Sequence, residues 1–148
     1  MGIRKATQND LLEYVKLRKE DILEYSKIVN EKVTSDDEKL KKEFNGLMNS
    51  KDNIIIVAED ENNLIGYLNG SLLNNIWQES GYIDDLFVTR EFKRKGIGTQ
   101  LIKKFIEYLK VKKIKKCKLG VDIKNINAIS LYNKLGFKTD HYEMSLNI

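Results

Sequence analysis

Between Asp10 and Val29 apolar residues recur at three- and four-residue steps among charges: Leu11, Tyr14, Val15 and Leu17, then Ile22, Tyr25 and Ile28, with Arg18 inside the same stripe. That period predicts an amphipathic helix lying on a sheet, capped by Thr7 or Asn9 and preceded by a short strand, Gly2–Ala6. A second, more polar helix is predicted from Ser35 to Met48, where Ser35 and Glu38 stand at capping-box spacing. From Asn53 the period changes. Ile54–Ala58 is apolar and β-branched, Asp60–Asn63 is turn-forming, and Leu64–Leu68 is apolar again, which predicts a hairpin of two buried strands. Beyond a loop carrying Trp77 come a third strand, Tyr82–Val88, a basic glycine turn, and a helix with Leu101, Ile102, Phe105, Ile106 and Leu109 on one face. A strand at Lys116–Val121 and a helix at Asn127–Leu135 follow, the latter ended by Gly136. Phe137–Leu146 reads as a strand-like terminal hairpin. The order β-α-α-β-β-β-α-β-α-β-β predicts an α/β (mixed α+β) fold in one domain, residues 1–148, with a central mixed, mostly antiparallel sheet and helices on both faces.

Composition narrows the chemistry. Apolar residues make up 41% and charged residues 32% of the 148 positions, a balance that folds rather than one that stays disordered. No run approaches the ~18 apolar residues needed to cross a bilayer, and the first residues lack the apolar core of a signal peptide, so a cytoplasmic location with no membrane partner is expected. Cys117, the single cysteine, has no partner for an internal disulfide, and with one histidine, His141, too few soft ligands remain for zinc; no metal is expected. The net charge of +4 comes from lysines spread along the chain. Its basic segments lack interleaved aromatics, so nucleic acid is not an expected partner.

The most informative stretch is Lys93-Arg94-Lys95-Gly96-Ile97-Gly98-Thr99, where a strand turns into an amphipathic helix. Free amides at a helix start and the positive end of its dipole converge on one place, and glycines let a phosphate approach the backbone. A dinucleotide fingerprint is excluded because Leu101 stands where its third glycine belongs, and a Walker loop because no Gly-Lys-Ser/Thr follows. A pyrophosphate of another kind fits.

This turn resembles the acyl-CoA loop of the GNAT superfamily of acyl-CoA-dependent N-acetyltransferases, Gln/Arg-x-x-Gly-x-Gly/Ala, with Lys93 in place of the usual Gln or Arg. Asn125-Ile126-Asn127-Ala128-Ile129-Ser130-Leu131-Tyr132-Asn133-Lys134-Leu135-Gly136-Phe137 is similar to a second element of that family. The resemblance covers essentially the whole chain. It implies acetyl-CoA as co-substrate, held by the backbone from Lys93 to Thr99 and, where two strands splay, by Leu86, Phe87 and Val88. It implies that Tyr132 protonates the departing thiolate, a role that suits a phenol with an ordinary pKa near ~10. Asn125 matches an asparagine that binds the pantetheine arm; a helix cap is the other reading, and Asn127 is able to fill that role instead.

Asp84 and Asp85 interrupt an apolar strand, and neighbours on a strand face opposite ways unless a bulge intervenes, so they are expected to differ in role, one accepting a proton or anchoring an amine. The strand also resembles that of family members acting on polyamines, which implies a small cationic acceptor. A protein lysine or N-terminal acetyltransferase and a non-catalytic acyl-CoA-binding module are the alternatives, and a homodimer is compatible with either. Cys117 reads as an inert buried thiol and His141 as a surface residue; Trp77 and Glu79 either line the acceptor site or pack in a loop.

Overall fold

The computed structural model describes residues 1–148. Five strands form one sheet in sequence order: β1 (Gly2–Lys5), β2 (Asn53–Asp60), β3 (Asn63–Asn74), β4 (Glu79–Val88) and β5 (Cys117–Leu119). The first three pairings are antiparallel and β4 with β5 is parallel. Helices α1 (Leu11–Val29) and α2 (Asp37–Asn49) cover one face, while α3 (Ile97–Val111) covers the other and α4 (Ile126–Lys134) packs at its edge. This is the mixed, mostly antiparallel sheet with helices on both faces that the periodicity predicts.

Alternation along the strands sorts two cores. Ile54, Ile56, Ile65, Leu68 and Ile83 pack against Leu101, Ile102 and Phe105 of α3; Ile55, Val57, Tyr67 and Phe87 pack against Tyr14 and Leu17 of α1 and Phe44 of α2. A side chain at Gly70 or Gly81 has no room, because a Cβ there lies 2.4 Å from Phe105 or Leu109 respectively, so α3 sits directly on the sheet backbone. The β2–β3 turn places Glu61 and Asn62 at positive φ, the geometry whose twist matches a hairpin.

Several boundaries differ from the sequence reading. The first helix opens with a 3-10 turn, Gln8–Asp10, in which Asp10 accepts from the Thr7 amide at 2.7 Å and from Arg4 of β1 at 2.8 and 3.0 Å. Helix α2 is capped by Asp36, not Ser35, since Asp36 has the extended backbone and accepts from the Glu38 amide at 2.9 Å. Strand β3 runs on to Asn74 because β4 pairs with it throughout, whereas β5 keeps only Cys117–Leu119. The expected terminal hairpin is absent: residues 137–148 form no strand. No helix is long and apolar enough to cross a membrane.

Candidate active site

The β4–β5 pairing ends at Ile83 opposite Leu119, so Asp84–Val88 continue without a neighbour on that side. A strand edge with unpaired amides and carbonyls offers hydrogen bonds to an extended polar chain. Leu86, Phe87 and Val88 lie along it, with Phe87 buried in the α1 face and Leu86 and Val88 against the α3 face. The edge leads through a 3-10 turn, Arg90–Phe92, into the glycine turn and α3.

At the start of α3, Gly96 caps the helix at φ +79, and a Cβ there meets nothing within 4 Å. The first amides, those of Ile97, Gly98 and Thr99, precede the first helical bond, which the Gln100 amide donates to the Gly96 carbonyl. Gly98 has Leu131 of α4 at 3.4 Å and Leu86 of β4 at 3.9 Å from its Cβ position, so it is the point where strand, turn and α4 converge. The neighbouring cations differ in their contacts. Lys93 pairs with Glu24 of α1 and lies over the Phe87 ring, Lys95 lies over the Phe92 ring at 4.8 Å, and Arg94 takes a left-handed backbone at φ +61. The fit to a pyrophosphate rests on the amides and the open volume above Gly96 rather than on the Lys93 side chain.

The pairing of β3 with β4 separates the two aspartates. Asn69 faces Asp85 and Gly70 faces Ile83, leaving Asp84 as the extra residue of a bulge. Asp84 is exposed; partial desolvation raises its pKa while a hydrogen bond from Ser71 opposes the rise. Asp85 instead turns toward α1, where its carboxylate accepts from Asn69 at 3.2 Å and pairs with Arg18 at 3.4 Å. Arg18 also donates to Glu43 of α2 at 2.9 Å and to Asp21 at 3.1 Å, and Tyr67 donates its hydroxyl to Asp21. The buried Asn69 further donates to Tyr14 at 2.7 Å, and its carbonyl oxygen is left without a donor.

One guanidinium therefore serves three carboxylates, Asp21, Glu43 and Asp85, in a half-buried cluster. Burial pushes Asp21 up to about 6, against the pull of Tyr67 and Arg18. Tyr132 of α4 comes close enough to this cluster that burial, aided by Asp21 and Asp85, pushes its hydroxyl up to about 12. Its ring rests edge-on against Phe137 at 5.8 Å between centroids. The hydroxyl is thus held protonated at neutral pH beside the splayed strand.

Of the residues singled out from sequence, the fold gathers Asp85, Leu86, Val88, Gly98 and Tyr132 about the splay. Asn125 is the N-cap of α4, accepting from the Ala128 amide at 3.3 Å, and Asn127 lies within the helix. Trp77 is 87% exposed in the β3–β4 connection, and Glu79 begins β4, about 20 Å along the strand from Asp85. Cys117 is pushed up to about 11 by burial, which keeps it an unreactive thiol. His141 is exposed and bonds only its neighbour Asp140, at 2.6 Å. Asp21, Glu43 and Tyr67 were not identified from sequence; the one signal was Arg18, a charge inside an apolar stripe.

Comparison with known proteins bears on the family and the fold. The model of the acetyltransferase (GNAT) family matches residues 15–137. An uncharacterised N-acetyltransferase of Methanocaldococcus jannaschii is 34% identical over 98 residues, 64% of this chain and 43% of its own length. The N-alpha-acetyltransferase 30 of Dictyostelium discoideum is 38% identical over 81 residues, 49% of this chain and 44% of its own. The chain thus spans less than half the length of these curated relatives. Among solved structures, an aminoglycoside 6'-N-acetyltransferase of Acinetobacter haemolyticus superposes with a TM-score of 0.82 at 16% identity, over 100% of this chain and 98% of that one, a likeness of fold.

Proposed function

The chain belongs to the acetyltransferase (GNAT) family, and from that premise we propose that it moves an acetyl group from acetyl-CoA to the primary amine of a small cationic acceptor. The observation that carries this reading is the carboxylate surplus around Arg18. Asp21, Glu43 and Asp85 share a single cation, so an incoming ammonium gains charge-assisted hydrogen bonds where carboxylates outnumber cations by two.

In this reading the first amides of α3, from Ile97 to Thr99, hold the pyrophosphate, and the β4 edge from Asp85 to Val88 receives the pantetheine arm. The amine must lose a proton before it attacks. Asp85, or Asp21 through a water, takes that proton, and the neutral nitrogen then adds to the thioester carbonyl. Collapse of the tetrahedral adduct breaks the C–S bond; the Tyr132 hydroxyl gives its proton to the sulfur, and the extra N–H proton of the adduct passes to the phenolate, leaving a neutral amide and restoring Tyr132. A phenol pushed up to about 12 is a weak acid, so its proton moves as charge builds on sulfur rather than beforehand. Asn125, as the cap of α4, positions Tyr132. No step calls for a metal.

A second reading, transfer to a protein N-terminus, draws support from the likeness to the N-alpha-acetyltransferase of Dictyostelium discoideum. A panel of polyamines, aminoglycosides and short peptides, scored by release of the CoA thiol, separates the two. Polyamine kcat/KM exceeding that of every peptide is the expected result; the reverse order would replace the first reading with the second.

A further inference from the structure

Asp21 and Asp85 each pair with Arg18, but the two carboxylates differ in what their oxygens touch. Asp85 has both engaged. Its Oδ2 accepts from the Asn69 amide at 3.2 Å, and its Oδ1 faces the guanidinium at 3.4 Å. In Asp21 a single oxygen, Oδ2, accepts from both Arg18 and Tyr67, and Oδ1 has no protein partner. That free oxygen is not enclosed, since Asn69 Oδ1 is the one unpaired side-chain atom that is fully buried.

The partners of Asp85 also resist a proton. An amide nitrogen and a guanidinium are donors only, so a proton on Asp85 has to share an oxygen with an existing donor, and neither donor accepts it. The Asn69 amide is held in this sense by Tyr14, which accepts from the same nitrogen at 2.7 Å and donates its own hydrogen to Glu43 at 3.1 Å. Turning the amide over would bring its oxygen against the Asp85 carboxylate. The fold keeps the nitrogen there, although Asn69, only 2% exposed, is left with an unpaired oxygen. Asp21, by contrast, takes a proton on Oδ1 without losing either of its bonds.

From this difference we infer that the two aspartates divide the work on the acceptor amine: Asp85 anchors the ammonium, and Asp21 removes its proton through one water. The division rests on the transfer to a cationic amine proposed above. An N–H bond of the ammonium breaks, the water hands on one proton, and an O–H bond forms at Asp21 Oδ1. The electron pair stays on nitrogen for attack on the thioester, and Asp21 returns the proton to solvent once the product has left. Around Asp21 stand Arg18 on its own helix, Tyr67 of β3, Asp85 of β4 and Tyr132 of α4, with Glu43 of α2 joined through Arg18. Glu24, one turn further along α1, is tied to Lys93. Burial outweighs the pull of Arg18 and Tyr67, so Asp21 sits at about 6, where a carboxylate both accepts and releases a proton near neutral pH.

The test compares Asp21→Asn with Asp85→Asn in the full chain, on the amine of the panel that has the highest kcat/KM, with circular dichroism to establish folding. Asp21→Asn is expected to lower kcat by about a hundredfold or more with a smaller change in KM, and Asp85→Asn to raise the KM for the amine by about tenfold or more with a smaller change in kcat. The reverse split overturns the division while leaving acetyl transfer to the amine intact. Transfer to no amine, by folded wild type that binds acetyl-CoA, overturns the underlying reading as well. A carbon-13 NMR titration of the side-chain carboxyls of the free protein reports without turnover. The resonance that titrates near pH 6 is expected to vanish in Asp21→Asn and to persist, moved to lower pH, in Asp85→Asn, where a neighbouring negative charge is gone. Its persistence in Asp21→Asn refutes Asp21 as the proton carrier. Should either variant fail to fold, wild-type kcat/KM that stays flat through pH 6 refutes it equally, and a rise through that pH supports it.

Discussion

Replacing Asp21 by Asn removes one of three carboxylates from around Arg18 while keeping the oxygen that accepts from Tyr67. The folded protein holds Asp21 at about 6 against an ordinary 3.8, with burial the first cause. Because this pKa is higher in the folded state, the folded chain retains a proton that the unfolded chain gives up. Stability contributed by that proton is fully present below about pH 3.8 and is lost as the pH rises through 6. At about 1.4 kcal/mol per tenfold, the gap corresponds to about 3 kcal/mol that ionised Asp21 costs the fold at neutral pH. The Asp21→Asn variant escapes that cost. Urea unfolding of both proteins at several pH values is the assay. The variant's stability relative to wild type is expected to climb by about 2.4 kcal/mol between pH 4 and pH 7, while its KM for a polyamine rises. A stability difference that stays flat with pH, or that falls, would refute the account of a strained, function-bearing carboxylate.

Replacing Tyr132 by Phe is expected to lower kcat by about a hundredfold or more and leave the acetyl-CoA dissociation constant nearly unchanged, as steady-state kinetics beside calorimetry will report. Gly98→Leu places a side chain against Leu131, 3.4 Å from its Cβ position, and is expected to weaken acetyl-CoA binding by roughly tenfold or more with a smaller effect on kcat at saturation. Gly70→Val drives a Cβ to 2.4 Å from the Phe105 ring and is expected to lower stability by about 1–3 kcal/mol in urea unfolding, without selective loss of acetyl-CoA affinity in the folded fraction. Cys117 is expected to react with a thiol reagent far more slowly in folded than in unfolded protein, since its thiol is pushed up to about 11.

The strands of the sheet were legible because Ile54–Ala58 and Leu64–Leu68 are long apolar runs with a turn between them, a signal that needs no knowledge of tertiary contacts. The helices were legible for the same reason, although Asp36 displaced Ser35 as a cap, a choice between adjacent residues that backbone geometry decides. The terminal segment shows the limit of periodicity. Alternation at Tyr142, Met144, Leu146 and Ile148 announces a strand but does not say with what it pairs. In the site, Gly96, Gly98 and Tyr132 stand in contiguous motifs and could be found from them. Asp21 and Glu43 sit among many helix carboxylates, and Tyr67 and Asn69 look like ordinary strand residues. Only the approach of α1 and α2 to the β3–β4 bulge joins them into one cluster. That bulge also gives Asp84 and Asp85 different surroundings, solvent for one and Arg18 for the other.

The central claim is acetyl transfer from acetyl-CoA to a cationic amine, and the most direct measurement follows both products in one tube. Mass spectrometry of a polyamine incubated with the protein and acetyl-CoA gives the acetylated amine, and thiol titration gives the CoA released. The account predicts equal amounts of the two, both falling together in the Tyr132→Phe variant. Release of CoA without an acetylated amine, or no release from folded protein that binds acetyl-CoA, would contradict it.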